Sequence, residues 1–208
     1  MEYFKPLSKV DLCRNLDSAN LLSSLVAPNA SGVTRDVWLG NYWVLKKDKG
    51  RVMNCEWEYK VYQHFKLPIL GEVVWSEGRY NVMVKYNTKK DLVVEKLKEH
   101  VGSLYGKKVN EEEMEYLLQI TNSLLYEYIS NNKKLDNKLI ERLERDERTK
   151  EWGWRGDREE KSLRKLIENI EKNNIGSQLL LLPPQSVYDL HSKNWALDEK
   201  GELKIIDY

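Results

Sequence analysis

The spacing of apolar side chains changes near residue 90, and this change restricts the possible folds more than any other feature of the sequence. Before it, β-branched and aromatic residues cluster in short segments on either side of a helical segment, a pattern that predicts strands. After it, apolar residues recur every three or four positions, which predicts amphipathic helices. The sequence therefore predicts an α+β fold with a β-rich first part, residues 1–86, and a mainly helical second part, residues 87–208.

Two hairpins and a helix are predicted in the first part. Residues 32–47 hold two strands separated by a tight turn at Gly40-Asn41, and a second hairpin turns at residues 76–78. Residues 54–66 between the hairpins have helical spacing, and another short helix is expected at residues 17–27. The apolar stripe of the helix at 54–66 is expected to consist of Trp57, Val61 and Phe65.

The second part is predicted to consist mostly of helices. A short helix spans residues 91–101, and a longer one starts at Asn110, where Glu113 three residues later forms a capping-box pattern. The charge-rich residues 133–150 are expected to form a solvent-exposed helix, and a further amphipathic helix begins at Asp157. These helices provide the apolar faces from which a core can form.

Charge and hydropathy argue against some classes of partner. The 34 basic and 33 acidic side chains give a formal net charge of +1, so there is no electrostatic reason to expect nucleic acid or an anionic membrane surface as the partner. The longest apolar stretches, such as residues 179–184, are too short to span a bilayer, and the N-terminal residues contain no apolar signal-peptide core. A cytoplasmic protein is therefore expected.

The cysteines and histidines do not have the spacing of a metal site. Cys13 and Cys55 are expected to be ordinary reduced thiols. The three histidines are too scattered along the chain for a zinc site or a Ser-His-Asp triad. Of these, His100 is expected to be a surface residue.

Oxygen-bearing side chains recur near the C-terminal end, where Asn194 follows Asp189 by five positions and Asp207 follows Asn194 by thirteen. Two strands predicted between Asn194 and Asp207, at residues 195–197 and 203–206, form a short hairpin. Phosphoryl transfer needs a carboxylate near the attacking hydroxyl group and oxygen ligands for Mg²⁺ beside the phosphates. A loop and hairpin of this kind can place the three side chains around one metal–phosphate centre.

This segment resembles the catalytic loop of the protein-kinase and aminoglycoside-phosphotransferase superfamily. Residues 189–194 match its D-L-[KH]-x-x-N pattern, with His191 at the third position as in the phosphotransferases. Asp207 follows an apolar strand, as the metal-binding aspartate of the family does. The resemblance implies ATP and Mg²⁺ as cofactors, Asp189 as the catalytic base, and Asn194 and Asp207 as the metal ligands.

Two upstream segments resemble further parts of the same family. Val44 and Lys46 match the V-A-x-K strand, whose lysine holds the nucleotide phosphates, and Lys47 on the opposite face of the strand is the alternative. The helix that follows resembles the one whose glutamate pairs with that lysine. Glu58 is preferred for this role, with Glu56 on another face of the helix as the alternative.

The second hairpin resembles the one that leads into the hinge of the family. Met83 and Val84 are therefore expected to border the adenine pocket. Together the resemblances imply a bilobal protein-kinase-like fold. The β-rich first part would be the N-lobe, in which Lys46 pairs with Glu58, and the second part would be a reduced, mainly helical C-lobe that ends in the catalytic and metal-binding hairpin.

Three features depart from the family pattern. Gly32 and Gly40 do not form a G-x-G-x-x-G loop, and Val187 stands where the family usually carries histidine. The sequence stops at Tyr208, directly after Asp207, where the family continues into an activation segment and further helices. The peptide-docking platform of ordinary protein kinases is therefore not expected.

Two functions are compatible with these features. The first is an ATP- and Mg²⁺-dependent phosphotransferase with Asp189 as the base, acting on an unidentified protein or small-molecule acceptor. The alternative is a catalytically weak or inactive kinase-like protein that binds and regulates a partner, such as a phage or mobile-element factor acting on a host protein. The kinase-like residues occur in the order of the family, which favours the phosphotransferase. The lack of a complete glycine-rich loop favours the binding protein.

Overall fold

The structure is a computed structural model that describes residues 28, 30–31, 34–40, 42–51, 53–145 and 156–208. The helix predicted at residues 17–27, together with Cys13 and Gly32, lies outside the described residues. The chain divides into two units: one contains the described residues up to Lys66 together with Leu70–Tyr86, and the other contains Leu67–Ile69 together with Asn87–Tyr208. Strands and helices are both present, which confirms the predicted α+β class.

The first unit is an antiparallel sheet with a helix packed on it. Its elements in chain order are β1 (Ala30–Ser31), β2 (Arg35–Leu39), β3 (Trp43–Asp48), α1 (Asn54–Phe65), β4 (Val73–Glu77) and β5 (Tyr80–Val84). The strand order across the sheet is β1-β2-β3-β5-β4. The two predicted hairpins are therefore confirmed as the antiparallel pairs β2–β3 and β4–β5.

Gly40 closes the β2–β3 hairpin, and a side chain would not fit there. The N–H of Gly40 donates to the carbonyl oxygen of Trp43 at 2.9 Å. A Cβ atom at Gly40 would lie 2.5 Å from the Trp43 ring, closer than non-bonded atoms approach. The turn leaves Leu39 opposite Val44, and this pairing sets the register of the two strands.

The two faces of this sheet differ in polarity. Because side chains alternate along a strand, Lys46 and Asp48 of β3 share one face and Leu45 lies on the other. On the Leu45 face, Leu45 and Val82 are fully buried and half-buried aromatic side chains pack against them. The opposite face carries buried polar side chains that contact α1.

Helix α1 buries a stripe of side chains that matches the predicted one only in part: Val61 is buried as predicted, and Phe65 is half-buried. Its buried residues are Cys55, Glu58 and Val61, whereas Trp57 is 40% exposed. The prediction for Trp57 is wrong because donors on the sheet bind the Glu58 carboxylate and turn a charged residue inward. A buried polar group is tolerated when it is hydrogen-bonded, so apolar spacing alone does not identify the inner face of a helix.

The second unit is mainly helical and ends in a two-stranded hairpin. Its elements in chain order are helices α2 (Lys90–Tyr105), α3 (Glu111–Ser130), α4 (Asn137–Arg145), α5 (Gly156–Lys172), α6 (Asn174–Leu179) and α7 (Pro184–Tyr188), a short 3₁₀ helix (Ser192–Asn194), and strands β6 (Trp195–Leu197) and β7 (Leu203–Ile205). The C-terminal hairpin is confirmed, whereas α6 and α7 are absent from the sequence prediction. Within the described ranges, every helix is too short or too polar to cross a lipid bilayer.

Local signals set the ends of α2 and α3. Asn110 caps α3, and its Oδ1 accepts the N–H of Glu113 at 2.8 Å, as the capping pattern predicts. Helix α2 ends at Tyr105 rather than at residue 101, because Gly106 adopts the left-handed conformation that stops a helix, with a φ of 65°. The apolar faces of α2, α3 and α5 contribute buried core residues, among them Leu97, Val101, Met114, Leu118, Leu125, Leu163, Ile167 and Ile170.

His100 on α2 is buried, so the prediction of a surface position is wrong. The residue is 6% exposed, and its ring centroid lies 6.5 Å from that of Trp195. Among the described residues, neither ring nitrogen of His100 has a hydrogen-bond partner. Burial lowers the pKa of His100 from 6.5 to about 4, because the charged form loses its hydration inside the protein.

The stability of the fold is expected to fall between pH 6.5 and pH 4 in a manner that depends on His100. In this range the unfolded chain binds a proton at His100 and the folded chain does not. The contribution of neutral His100 is therefore present above pH 6.5 and is lost on acidification, by about 3 kcal/mol in total. Urea denaturation at a series of pH values measures this effect.

The matched variants for this measurement are His100→Leu and His64→Leu. His64 is an exposed residue on α1, so its replacement controls for a histidine-to-leucine change outside the core. The His100→Leu variant should lose less stability than the wild type on acidification. If its pH dependence equals that of the wild type, His100 is not the group responsible.

Candidate functional site

Lys46 and Glu58 form a buried ion pair in the first unit. Nζ of Lys46, on β3, lies 3.0 Å from Oε1 and 3.1 Å from Oε2 of Glu58, on α1. Lys46 is 6% exposed and Glu58 is 0% exposed. The structure thus brings together the lysine and the glutamate that the sequence patterns pair.

The alternative lysine and glutamate lie on other faces of the same two elements. Nζ of Lys47 is 5.4 Å from the centre of the Tyr80 ring, on the apolar side of the sheet. Glu56 forms an ion pair with Lys60 one turn along α1, at 2.5 Å, where both side chains are exposed. The buried pair therefore consists of Lys46 together with Glu58.

Glu58 receives two further donors that sequence patterns did not indicate. Nη1 of Arg35, on β2, lies 2.5 Å from Oε1 of Glu58, and Nδ2 of Asn81, on β5, donates to Oε2 at 2.7 Å. Lys46 is opposite Val37 of β2 and opposite Asn81 of β5, so the donors come from three neighbouring strands. Strand register brings these side chains together, and the sequence alone does not specify it.

Asp48 attaches the first turn of α1 to β3. Its Oδ2 accepts the N–H of Cys55 at 2.8 Å, so this buried carboxylate caps the positive end of the helix. Cys55 is a free thiol whose pKa is raised to about 12 by burial and by the nearby carboxylates of Asp48 and Glu58. The thiol is therefore a poor nucleophile. Asp48 could have been found from the sequence, because it lies two residues after Lys46 on the same strand face.

Met83 and Val84, the predicted adenine-pocket residues, lie at the end of β5. Met83 is 1% exposed and Val84 is half-buried. The N–H of Val84 donates to the carbonyl oxygen of Glu72 at 2.9 Å. This N–H is already hydrogen-bonded within the unit, so Val84 would have to contact an adenine ring through another of its atoms.

Asp189, in the second unit, follows α7 in a loop that is closed by Asn194. Nδ2 of Asn194 donates to the backbone carbonyl oxygen of Asp189 at 2.6 Å, and the N–H of His191 donates to the same oxygen at 3.0 Å. Asn194 is 9% exposed, whereas Asp189 is an exposed residue. The backbone of Asp189 is therefore fixed while its side chain remains accessible to a ligand.

Asn194 also connects this loop to the segment that carries Asp207. The backbone carbonyl of Asn194 accepts the N–H of Ile206 at 2.9 Å, and the antiparallel pairing of β6 with β7 extends this contact. Asp207 follows Ile206 directly and is half-buried. The structure thus places Asp189, Asn194 and Asp207 at the same end of the β6–β7 hairpin.

A tryptophan also helps to hold this loop, and its role was not apparent from the sequence. Trp195 is 1% exposed, and its Nε1 donates to the carbonyl oxygen of Leu190 at 3.3 Å. Val187, at the position where the resembled family usually carries histidine, is fully buried. Side-chain donors from Asn194 and Trp195 thus bind two consecutive backbone carbonyls of the loop.

The donor atoms of this loop suit Mg²⁺, which prefers oxygen ligands. Because the amide nitrogen of Asn194 is used within the loop, its Oδ1 is the atom available to a metal, and Asp207 would add a carboxylate oxygen. Mg²⁺ commonly binds one or two protein oxygens and completes its shell with phosphate and water. Within the described part of the chain, no group of three or more His, Cys, Asp or Glu side chains could hold a metal ion.

Comparison with known proteins does not identify the chain. No protein-family model matches it, and no curated protein and no solved structure matches it. Its function is therefore inferred from the residues above and their geometry.

Proposed function

We propose that this protein is an ATP- and Mg²⁺-dependent phosphotransferase with a protein-kinase-like fold. The first unit would be a β-rich N-lobe, and the second a reduced, mainly helical C-lobe. The observation that carries the proposal is the buried pair of Lys46 and Glu58. The phosphate acceptor would be a protein or a small molecule.

The buried pair supports a nucleotide role because stability alone does not account for it well. The cost of desolvating two charges roughly cancels their attraction, so buried ion pairs contribute little net stability. A lysine held by a glutamate does, however, present its ammonium group in a fixed position. That arrangement suits binding of the phosphates of a nucleotide, the role that the resemblance assigns to Lys46.

The loop of the second unit supports the transfer step. Asp189 has a fixed backbone and an exposed side chain, as a base that accepts the proton of an acceptor hydroxyl group requires. Asn194 and Asp207 would hold Mg²⁺, which when bound offsets the negative charge of the phosphates. Lys46, Glu58, Asp189, Asn194 and Asp207 occur along the chain in the order that the resembled family requires.

Nucleotide binding is the direct test of this proposal. MgATP at ten times its dissociation constant is expected to stabilise the wild-type fold by about 1.4 kcal/mol, because a ligand that binds only the folded state raises its apparent stability. The Lys46→Met variant should show a clearly smaller stabilisation, because its affinity for MgATP is reduced. Thermal unfolding with and without MgATP measures the stabilisation of the wild type and of the variant.

Lys47→Met is the matched control, because it removes the same charge from the other face of β3. This variant should respond to MgATP as the wild type does. The proposal would be contradicted if millimolar MgATP did not stabilise the wild type. Equal stabilisation of the Lys46→Met and Lys47→Met variants would also contradict it.

A further inference from the structure

The Glu58 carboxylate is shared by more donors than a lysine–glutamate pair requires. Oε1 lies within reach of both Lys46 and Arg35, and Oε2 accepts from Lys46 and Asn81. The side chain of Glu58 is 0% exposed, and that of Arg35 is 12% exposed. Two cations therefore contact one buried carboxylate.

The second cation changes what happens when Lys46 moves. In a simple buried pair, a lysine that turns to an anionic ligand leaves its glutamate as an uncompensated buried charge, which is strongly unfavourable. Here Arg35 also contacts Oε1, so the carboxylate would keep a charged partner. Arginine suits this task because its guanidinium group stays charged over the whole accessible pH range.

We infer that Arg35 is a positioning residue: it keeps Glu58 ionised and in place, so that Lys46 can engage an anionic ligand. The identity of that ligand as a nucleotide phosphate rests on the proposed function, whereas the effect of Arg35 on Glu58 does not. Among the described residues, two further titratable side chains close to this cluster are Asp48 of β3 and Cys55 of α1. Asn81 of β5 donates to Glu58 without carrying a charge.

The first arm of the test uses the protein without ligand. The carboxyl ¹³C signal of Glu58 is followed against pH by NMR in the wild type and in the Arg35→Met variant. Removing the guanidinium group should raise the pH at which this signal titrates by about one unit or more, because a nearby positive charge favours the carboxylate. Arg35→Lys should restore most of the difference.

The control variant is Arg79→Met, which removes a surface guanidinium group that donates to Gly50. It should leave the titration of Glu58 unchanged. The inference would be overturned if Glu58 titrated at the same pH in the Arg35→Met variant as in the wild type. This arm decides the role of Arg35 even for a protein that binds no nucleotide.

The second arm measures the affinity for MgATP by calorimetry in a double-mutant cycle. Arg35→Met should weaken binding about tenfold in the wild-type background and cause no further loss in the Lys46→Met background, because Arg35 acts through Lys46. Equal losses in the two backgrounds would mean that Arg35 acts independently, and would overturn the inference. Absence of MgATP binding to the wild type counts against the proposed function, and the titration of Glu58 then decides the inference alone.

Discussion

Replacing Glu58 with glutamine is expected to lower the free energy of unfolding by about 3–5 kcal/mol, because removal of one partner leaves buried charge without compensation. In this variant Lys46 and Arg35 would both lose the carboxylate that they share. Glutamine has nearly the same volume as glutamate, so the effect reports the loss of charge rather than a cavity. Chemical denaturation followed by tryptophan fluorescence measures the change.

Glu56→Gln is the control for this experiment, on the same helix. Glu56 pairs with Lys60 at the surface, where the side chains are 39% and 66% exposed. Exposed pairs along a helix contribute about 0.5 kcal/mol or less, so this substitution should have little effect. If the Glu58→Gln and Glu56→Gln variants lost similar amounts of unfolding free energy, the stability of the fold would not depend on the charge of Glu58.

The features that could be predicted from the sequence have local signals. Alternation along β3 separates Lys46 from Lys47, and helical spacing separates Glu58 from Glu56. The cap of α3 follows from the side chain of Asn110, which bonds within its own first turn. In each case the physical cause lies within a few residues of its effect.

The features that could not be predicted depend on packing between distant segments. Arg35 reaches a carboxylate 23 positions along the chain, and only the register of three strands brings the two together. His100 is on α2, and its burial depends on segments such as β6, which contributes the nearby Trp195. Trp57 is exposed because Glu58 takes the inner face of α1. Helices α6 and α7 are too short to show a hydrophobic period.

The Asp189→Asn variant is expected to transfer phosphate about 10²–10⁴ times more slowly than the wild type, the usual contribution of a general base. Its stability should change by about 0.5 kcal/mol or less, because exposed substitutions have small effects. The hydrogen bonds that fix this loop use the backbone carbonyl of Asp189, which asparagine retains. Incubation with γ-labelled ATP, Mg²⁺ and a cell lysate measures the transfer.

The same experiment separates an enzyme from a kinase-like binding protein. Asp91→Asn, at an exposed position on α2, should transfer phosphate as the wild type does. If the wild type binds MgATP but labels no more material than the Asp189→Asn variant does, the result favours a kinase-like binding protein. The Asp189→Asn variant should then still capture the partner of that protein. Because the substitution changes one exposed carboxylate and leaves the contacts of Asn194 in place, a loss of transfer can be assigned to the chemistry rather than to unfolding of the loop.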